Sequence, residues 1–128
     1  MKEFMLLIRN AMDHQSVWTS DQHRKFLEKC KVYSAQLREA GHLLSAQPLV
    51  REGVVLSKTY EGWQEAPFNE NTEVLVGYYH ILAKDLNEAV ALAKGNPEFE
   101  FSPTARIEVR PIKLKALSTG FVYTEKVA

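Results

Sequence analysis

Two segments that each run from an apolar strand into an amphipathic helix constrain this chain more than any other feature. The first opens with a continuous apolar run, Phe4 to Ile8, which suits a strand covered by other elements. The polar stretch NAMDHQSVWTS follows. Next comes DQHRKFLEKCKVYSAQLREAG, in which Phe26, Cys30, Tyr33 and Leu37 recur every three or four residues and so share one helical face. Thr19 or Ser20 caps the start of this helix, Asp21 complements its dipole, and Gly41 supplies a left-handed stop. The second segment is the strand Glu73 to Ala83. Asp85 then caps a helix with Leu86, Ala89, Val90 and Ala93 on one face, ended by Gly95, Asn96 and Pro97.

The remaining stretches fill in the topology. HLLSAQPLV and VVLSKTY read as two short strands turning near Gly53, and EGWQEAPFNEN reads as a loop. PEFEFSPTA is a loop as well, RIEVRPIKL alternates as a strand, and GFVYT in the tail forms a further strand that pairs with a partner or covers an edge. The order strand, helix, strand pair, strand, helix, strand gives an α+β sandwich of ferredoxin-like type, an antiparallel sheet with both helices on one face. The 128 residues make one domain, and an apolar content of 45% supports a core without disulfide or metal staples. Helices on one face leave the second face of the sheet as an apolar patch, which pairing with another copy hides. A homodimer is therefore the expected state.

Charge and cysteine usage exclude several classes. Sixteen basic and sixteen acidic side chains cancel, so no overall field draws the chain to nucleic acid or to an anionic membrane. Cys30 is the single cysteine, which rules out an intrachain disulfide and a cysteine-rich zinc site. The apolar run in MKEFMLLIRN ends at Arg9, too short for a signal-peptide core or a bilayer span, so the expected location is the cytoplasm. HExxH spacing, a GxGxxG loop, a P-loop and a GxSxG elbow are all missing from the sequence. Neither a metal nor a cofactor is expected.

Strand alternation nominates a site. Val74, Val76, Tyr78, His80 and Leu82 share one face; Leu75, Gly77, Tyr79, Ile81 and Ala83 share the other, where Gly77 lets a helix pack closely. Tyr78 and His80 thus point into the expected dimer cleft. In the last strand Arg106, Glu108, Arg110 and Ile112 share a face, with Ile107 and Val109 turned to the helices. With these two strands as near neighbours, His80 meets Glu108 or Arg110. A carboxylate there raises the imidazole pKa and fixes its tautomer, and an arginine holds an anionic ligand. The candidate set is His80 as general acid or base, with Arg110, Glu108, Tyr78 and Arg9 binding the ligand. The plainer alternatives are a hydrogen-bonded structural histidine and a Glu108–Arg110 ion pair across the dimer seam. Cys30 reads as a packing thiol, His42 as a partner of the helix carbonyl end, and His14 and His23 as solvated. Trp63 and Phe68 either form a lid over the cleft or anchor their loop to the sheet.

Several pieces together resemble the YCII-related family in its DGPF-type branch: GHLLSAQPL, EAPF at Glu65 to Phe68, GYYHI from Gly77, NEAVALA, and IEVRPI at Ile107 to Ile112. They are collinear from about Met1 to Ile112, which makes about 1–113 the core and 114–128 a C-terminal extension. The resemblance implies a dimeric α+β barrel, small bacterial cytoplasmic proteins, and a function that is generally unassigned. Some members carry a histidine in the first helix and an aspartate before the proline that follows the second helix, proposed as a catalytic dyad. Counting from Gly41 and Pro97, those positions fall on Cys30 and Asn96, and Asn96 cannot act as a general base. Glu65 and Ala66 likewise stand where the branch signature has aspartate and glycine. Two functions are thus in play. One is a dimeric small-molecule-binding or regulatory module with a polar cleft at the sheet face. The other is a small enzyme using His80 as acid or base on a small polar or anionic substrate, anchored by Arg110.

Overall fold

A computed structural model describes residues 1–67 and 73–123. In chain order the elements are β1 (Lys2–Asn10), a 3-10 turn (His14–Val17), α1 (Ser20–Glu39), β2 (Leu43–Pro48), β3 (Val55–Thr59), β4 (Gly62–Ala66), β5 (Val74–Ala83), α2 (Leu86–Lys94), a single turn α3 (Glu98–Phe101) and β6 (Ala105–Pro111). Alternation along β1 buries Phe4, Leu6, Ile8 and Asn10 and leaves Glu3, Met5, Leu7 and Arg9 half-buried on the other face. β1 pairs antiparallel with both β5 and β6, and β2 runs antiparallel along the far edge of β5. The resulting order β2-β5-β1-β6, with α1 and α2 packed on one face, is the expected α+β ferredoxin-like sandwich. One core joins the layers. Phe4, Leu6, Ile8, Tyr79, Ile81 and Ala83 of the sheet meet Tyr33 and Leu37 of α1 and Ala89 and Ala93 of α2.

Local chemistry explains the helix boundaries. Thr19 caps α1 and forms a capping box with Gln22, satisfying two backbone donors reciprocally. Gly41 takes a left-handed φ of 78° after the last turn, as a helix stop requires. Asp85 accepts from the Glu88 N–H and starts α2. Gly95 departs from the expected pattern, since it is right-handed at φ −80°. Here the lack of a side chain matters for space, because a Cβ would sit 3.4 Å from the Tyr33 ring.

Four expectations need correction. β2 and β3 do not form a hairpin. β2 joins the main sheet, while β3 pairs with β4 in a separate two-stranded ribbon. β4 occupies Gly62–Ala66, part of the stretch read as loop; its Gly-Trp-Gln-Glu-Ala composition carries little strand signal. A register shift between Ile8 and Arg9 also breaks the alternation of β5, so Val74 is buried and Val76 packs against the core rather than facing the open side. Finally, the neighbour of Gly77 is the β2 backbone and not a helix. A Cβ on Gly77 would lie 3.1 Å from the Gln47 carbonyl oxygen and 3.4 Å from Pro48 Cα. Gly77→Val should therefore lower the unfolding free energy by roughly 1–3 kcal/mol, the usual cost of overpacking, with the loss read as a lower urea midpoint at unchanged slope.

Candidate functional site

The open face of the sheet holds the residues nominated from the sequence, but it pairs them differently. β1 lies between β5 and β6, so His80 reaches neither Glu108 nor Arg110. It sits opposite Met5 in the register, and its Nε2 lies 2.8 Å from Oε1 of Glu3, one diagonal step along β1. Arg110 and Glu108 form a pair within β6 at 3.6 Å, both largely exposed. Arg9 lies 3.9 Å from Glu73, which also accepts from Arg106 at 3.2 Å. Tyr78 stands opposite Leu7 on β1 and Gln47 on β2, half-buried. Trp63 stands on β4 and is 67% exposed, under the Lys58 ammonium at 5.0 Å; Phe68 lies outside the described residues.

The other histidines also acquire specific partners. His42 bonds through Nδ1 to the Leu82 carbonyl at 2.7 Å, a strand carbonyl rather than the helix end. His23 lies 3.0 Å from the Gln15 carbonyl. His14 is half-buried, and its Nε2 lies 2.7 Å from the Thr104 hydroxyl.

His14 belongs to a second location, a cavity of about 740 Å³ between α1 and the helix-facing side of the sheet. Its floor is made of buried residues: Ile8 and Asn10 from β1, Tyr79 from β5, Phe26 from α1, and Asn96 and Glu98 from the α2–α3 connection. Its exposed rim carries Met12 and Asp13 before the 3-10 turn, Lys31 on α1, and Leu49 and Val50 after β2, with Arg51 half-buried beside them. Packing of Trp18 against Phe26 and Phe101, with ring centroids at 5.0 and 5.8 Å, ties the segment around the 3-10 turn to α1 and α3. A shallower depression of about 530 Å³ on the outer side of α1 is wide open and has no buried polar group.

The floor is polar where a core is ordinarily apolar, and its polar groups are linked. The Thr104 hydroxyl donates to Oδ1 of Asn10 at 2.8 Å, and Asn10 Nδ2 donates to Oε2 of Glu98 at 3.4 Å. With the hydroxyl hydrogen committed to Asn10, Thr104 accepts from His14, so Nε2 carries a ring hydrogen. The Glu98 N–H donates to Asn96 Oδ1 at 2.9 Å. That bond orients the Asn96 amide and leaves Nδ2 buried with no hydrogen-bond partner among the described residues. A buried unsatisfied donor costs about 1–3 kcal/mol.

Burial disfavours negative charge on every acid of the floor. Glu98, only 7% exposed, has its pKa raised by desolvation, against opposing pulls from the Ser102 hydroxyl and the His14 charge. Ser102 Oγ is close enough to exert that pull but makes no hydrogen bond of ordinary geometry among the described residues. Desolvation, with a smaller contribution from Glu98, pushes the Cys30 thiol up to about 11. The Tyr79 hydroxyl is raised for the same leading reason. The floor thus offers proton donors, and Cys30 stays a thiol rather than a nucleophilic thiolate.

A family model described as YCII-related domain matches residues 2–113. The chain belongs to the YCII-related domain family. Comparison with curated proteins finds no match. In this YCII-related protein the two positions counted from Gly41 and Pro97, Cys30 and Asn96, both line the cavity, although they lie on different elements. Sequence reasoning found those positions but missed Glu98, two residues beyond Asn96, as well as His14, Asn10 and Thr104. The available signal was Asn10 itself: a polar residue at the buried phase of an otherwise apolar β1 demands partners.

The raised pKa of Glu98 has a sign that can be checked. Folded Glu98 keeps its proton to higher pH than the unfolded chain does, so the native state binds more protons across that window. Stability from this group is full below the ordinary carboxyl range and is lost as pH rises through the folded pKa. The stability of Glu98→Gln relative to the parent should therefore climb as pH rises above the ordinary carboxyl range, measured by urea unfolding at stepped pH. A pH-independent difference would contradict this assignment.

Proposed function

We propose that this YCII-related protein binds a compact, mostly apolar small molecule in the cavity between α1 and the sheet, with Glu98 as the group that shares a proton with it. The observation that supports the reading is the buried polar floor, where Glu98 and the unpartnered Asn96 amide lie under an apolar wall. Ligand sites have this make-up: mostly apolar walls with a few convergent polar groups. A buried carboxyl group with a raised pKa in a cavity is a mark of proton-transfer and binding sites. The test uses N-phenyl-1-naphthylamine, an uncharged apolar dye whose fluorescence rises on burial. Saturable binding at about one dye per chain is expected, together with its loss in Ser34→Trp, which places an indole in the cavity. Unchanged binding by that variant would remove the cavity from the account.

The second part of the proposal is a homodimer, of the dimeric α+β barrel kind that the DGPF-type resemblance implies. It is supported by what the single chain leaves uncovered. No helix among the described residues covers the face of Met5, Leu7, Tyr78 and His80. The β3–β4 ribbon is exposed on both sides, with Leu56 and Trp63 outward, and an isolated two-stranded ribbon is only marginally stable. The tail adds exposed Leu117, Phe121 and Val122. On this reading the His80–Glu3 pair sits at the seam with Tyr78, Arg9, Glu108 and Arg110 around it. Sedimentation equilibrium at micromolar concentration should report twice the chain mass, and Leu7→Glu should shift it toward the single chain.

A second reading rests on the 2.8 Å His80–Glu3 contact, an imidazole–carboxylate pair of the sort acid–base catalysis uses. A turnover found by screening and abolished by His80→Ala, but not by Glu98→Gln, would favour it over the cavity.

A further inference from the structure

Resting on the cavity reading, we infer that the ligand is an organic mono-anion, bound with its apolar body inward and its charge held at the rim by Arg51 and Lys31. Three observations carry this. The floor carries buried acidic groups, Glu98 among them, and among the described residues no lysine or arginine lines it, so an anionic ligand end is disfavoured in the interior. The cations that line the cavity stand at its mouth. Arg51 is half-buried there, with a side chain only 19% exposed, and the exposed Lys31 of α1 also lines the cavity. Neither cation is saturated among the described residues. The nearest carboxylate to Arg51 is Asp13 at 3.9 Å, beyond hydrogen-bond range, and Lys31 has no ion pair there. A guanidinium held mostly out of water without a bidentate partner fits a carboxylate or sulfonate arriving with the ligand.

The apolar lining of the cavity comes from Ile8, Phe26, Leu27, Leu49 and Val76. The inner end meets donors, the Glu98 carboxyl and the Asn96 amide, and so matches a neutral acceptor such as a carbonyl or ether oxygen. Among the described residues Asp13 is the one acid at the rim. It competes with the ligand for Arg51, and the two cations outnumber it.

Two dyes sharing one ring skeleton test the charge alone: 1-anilinonaphthalene-8-sulfonate and the uncharged N-phenyl-1-naphthylamine. The sulfonate should bind roughly tenfold tighter, about 1.4 kcal/mol, and the preference should shrink with added salt. Arg51→Met should bring the ratio near one. Asp13→Asn should raise it, an opposite shift that a structural role for Arg51 does not produce. Equal affinities, or a preference that survives Arg51→Met, would overturn the anion assignment and leave the cavity reading standing. If Ser34→Trp displaces neither dye, the cavity reading fails and this inference falls with it.

Discussion

The period of two along β1 forces a polar side chain into the interior, and the candidate site depends on that. Side chains of a strand alternate between faces, so the phase that buries Phe4, Leu6 and Ile8 also buries Asn10 at 5% exposure. A buried amide without partners is costly. Asn10 finds Thr104, just before β6, on one side and Glu98 of α3 on the other. Those bonds tie the α2–α3–β6 connection to the end of β1. His14 joins through Thr104. The polar floor of the cavity is thus a consequence of register and burial, and the segments that meet there are far apart in the chain.

Desolvation then sets the chemistry of that floor. Glu98, Cys30 and Tyr79 are all shifted toward their neutral forms by burial. A thiol pushed up to about 11 is no nucleophile near neutrality, and a carboxyl raised above its usual range is both donor and acceptor. The chemistry open to such a site is hydrogen bonding and proton transfer. The open face of the sheet is different. There His80–Glu3, Arg110–Glu108 and Arg9–Glu73 satisfy one another in partly solvated pairs, whose individual contributions to stability are small.

The helices and the main strands were legible because their signals are local. Phe26, Tyr33 and Leu37 recur at helical spacing and are buried together; Asp85 caps where a cap was expected; Ile107 and Val109 point to the core as alternation requires. The β3–β4 ribbon was hidden because its strands are short and mixed in composition, with nothing in the sequence to say which strand each pairs with. Val76 was misassigned because a register shift is a property of two strands, invisible in either alone. His80 was assigned to the right face but given the wrong partner, since the choice between Glu3 and Glu108 is made by which strand lies beside β5.

The sequence by itself determined the α+β layering, the faces of the helices and most strands, and the membership in a family of such domains, because propensity, capping and hydrophobic period act over a few residues. It also put Cys30 on the inner face of α1 and Asn96 beside the proline after α2. That these two, with Asn10, His14 and Glu98, converge on one cavity was decided only by the tertiary structure. The residues come from three separate stretches of chain, and their meeting is set by strand order and by the need of buried polar groups for partners, which no local pattern encodes.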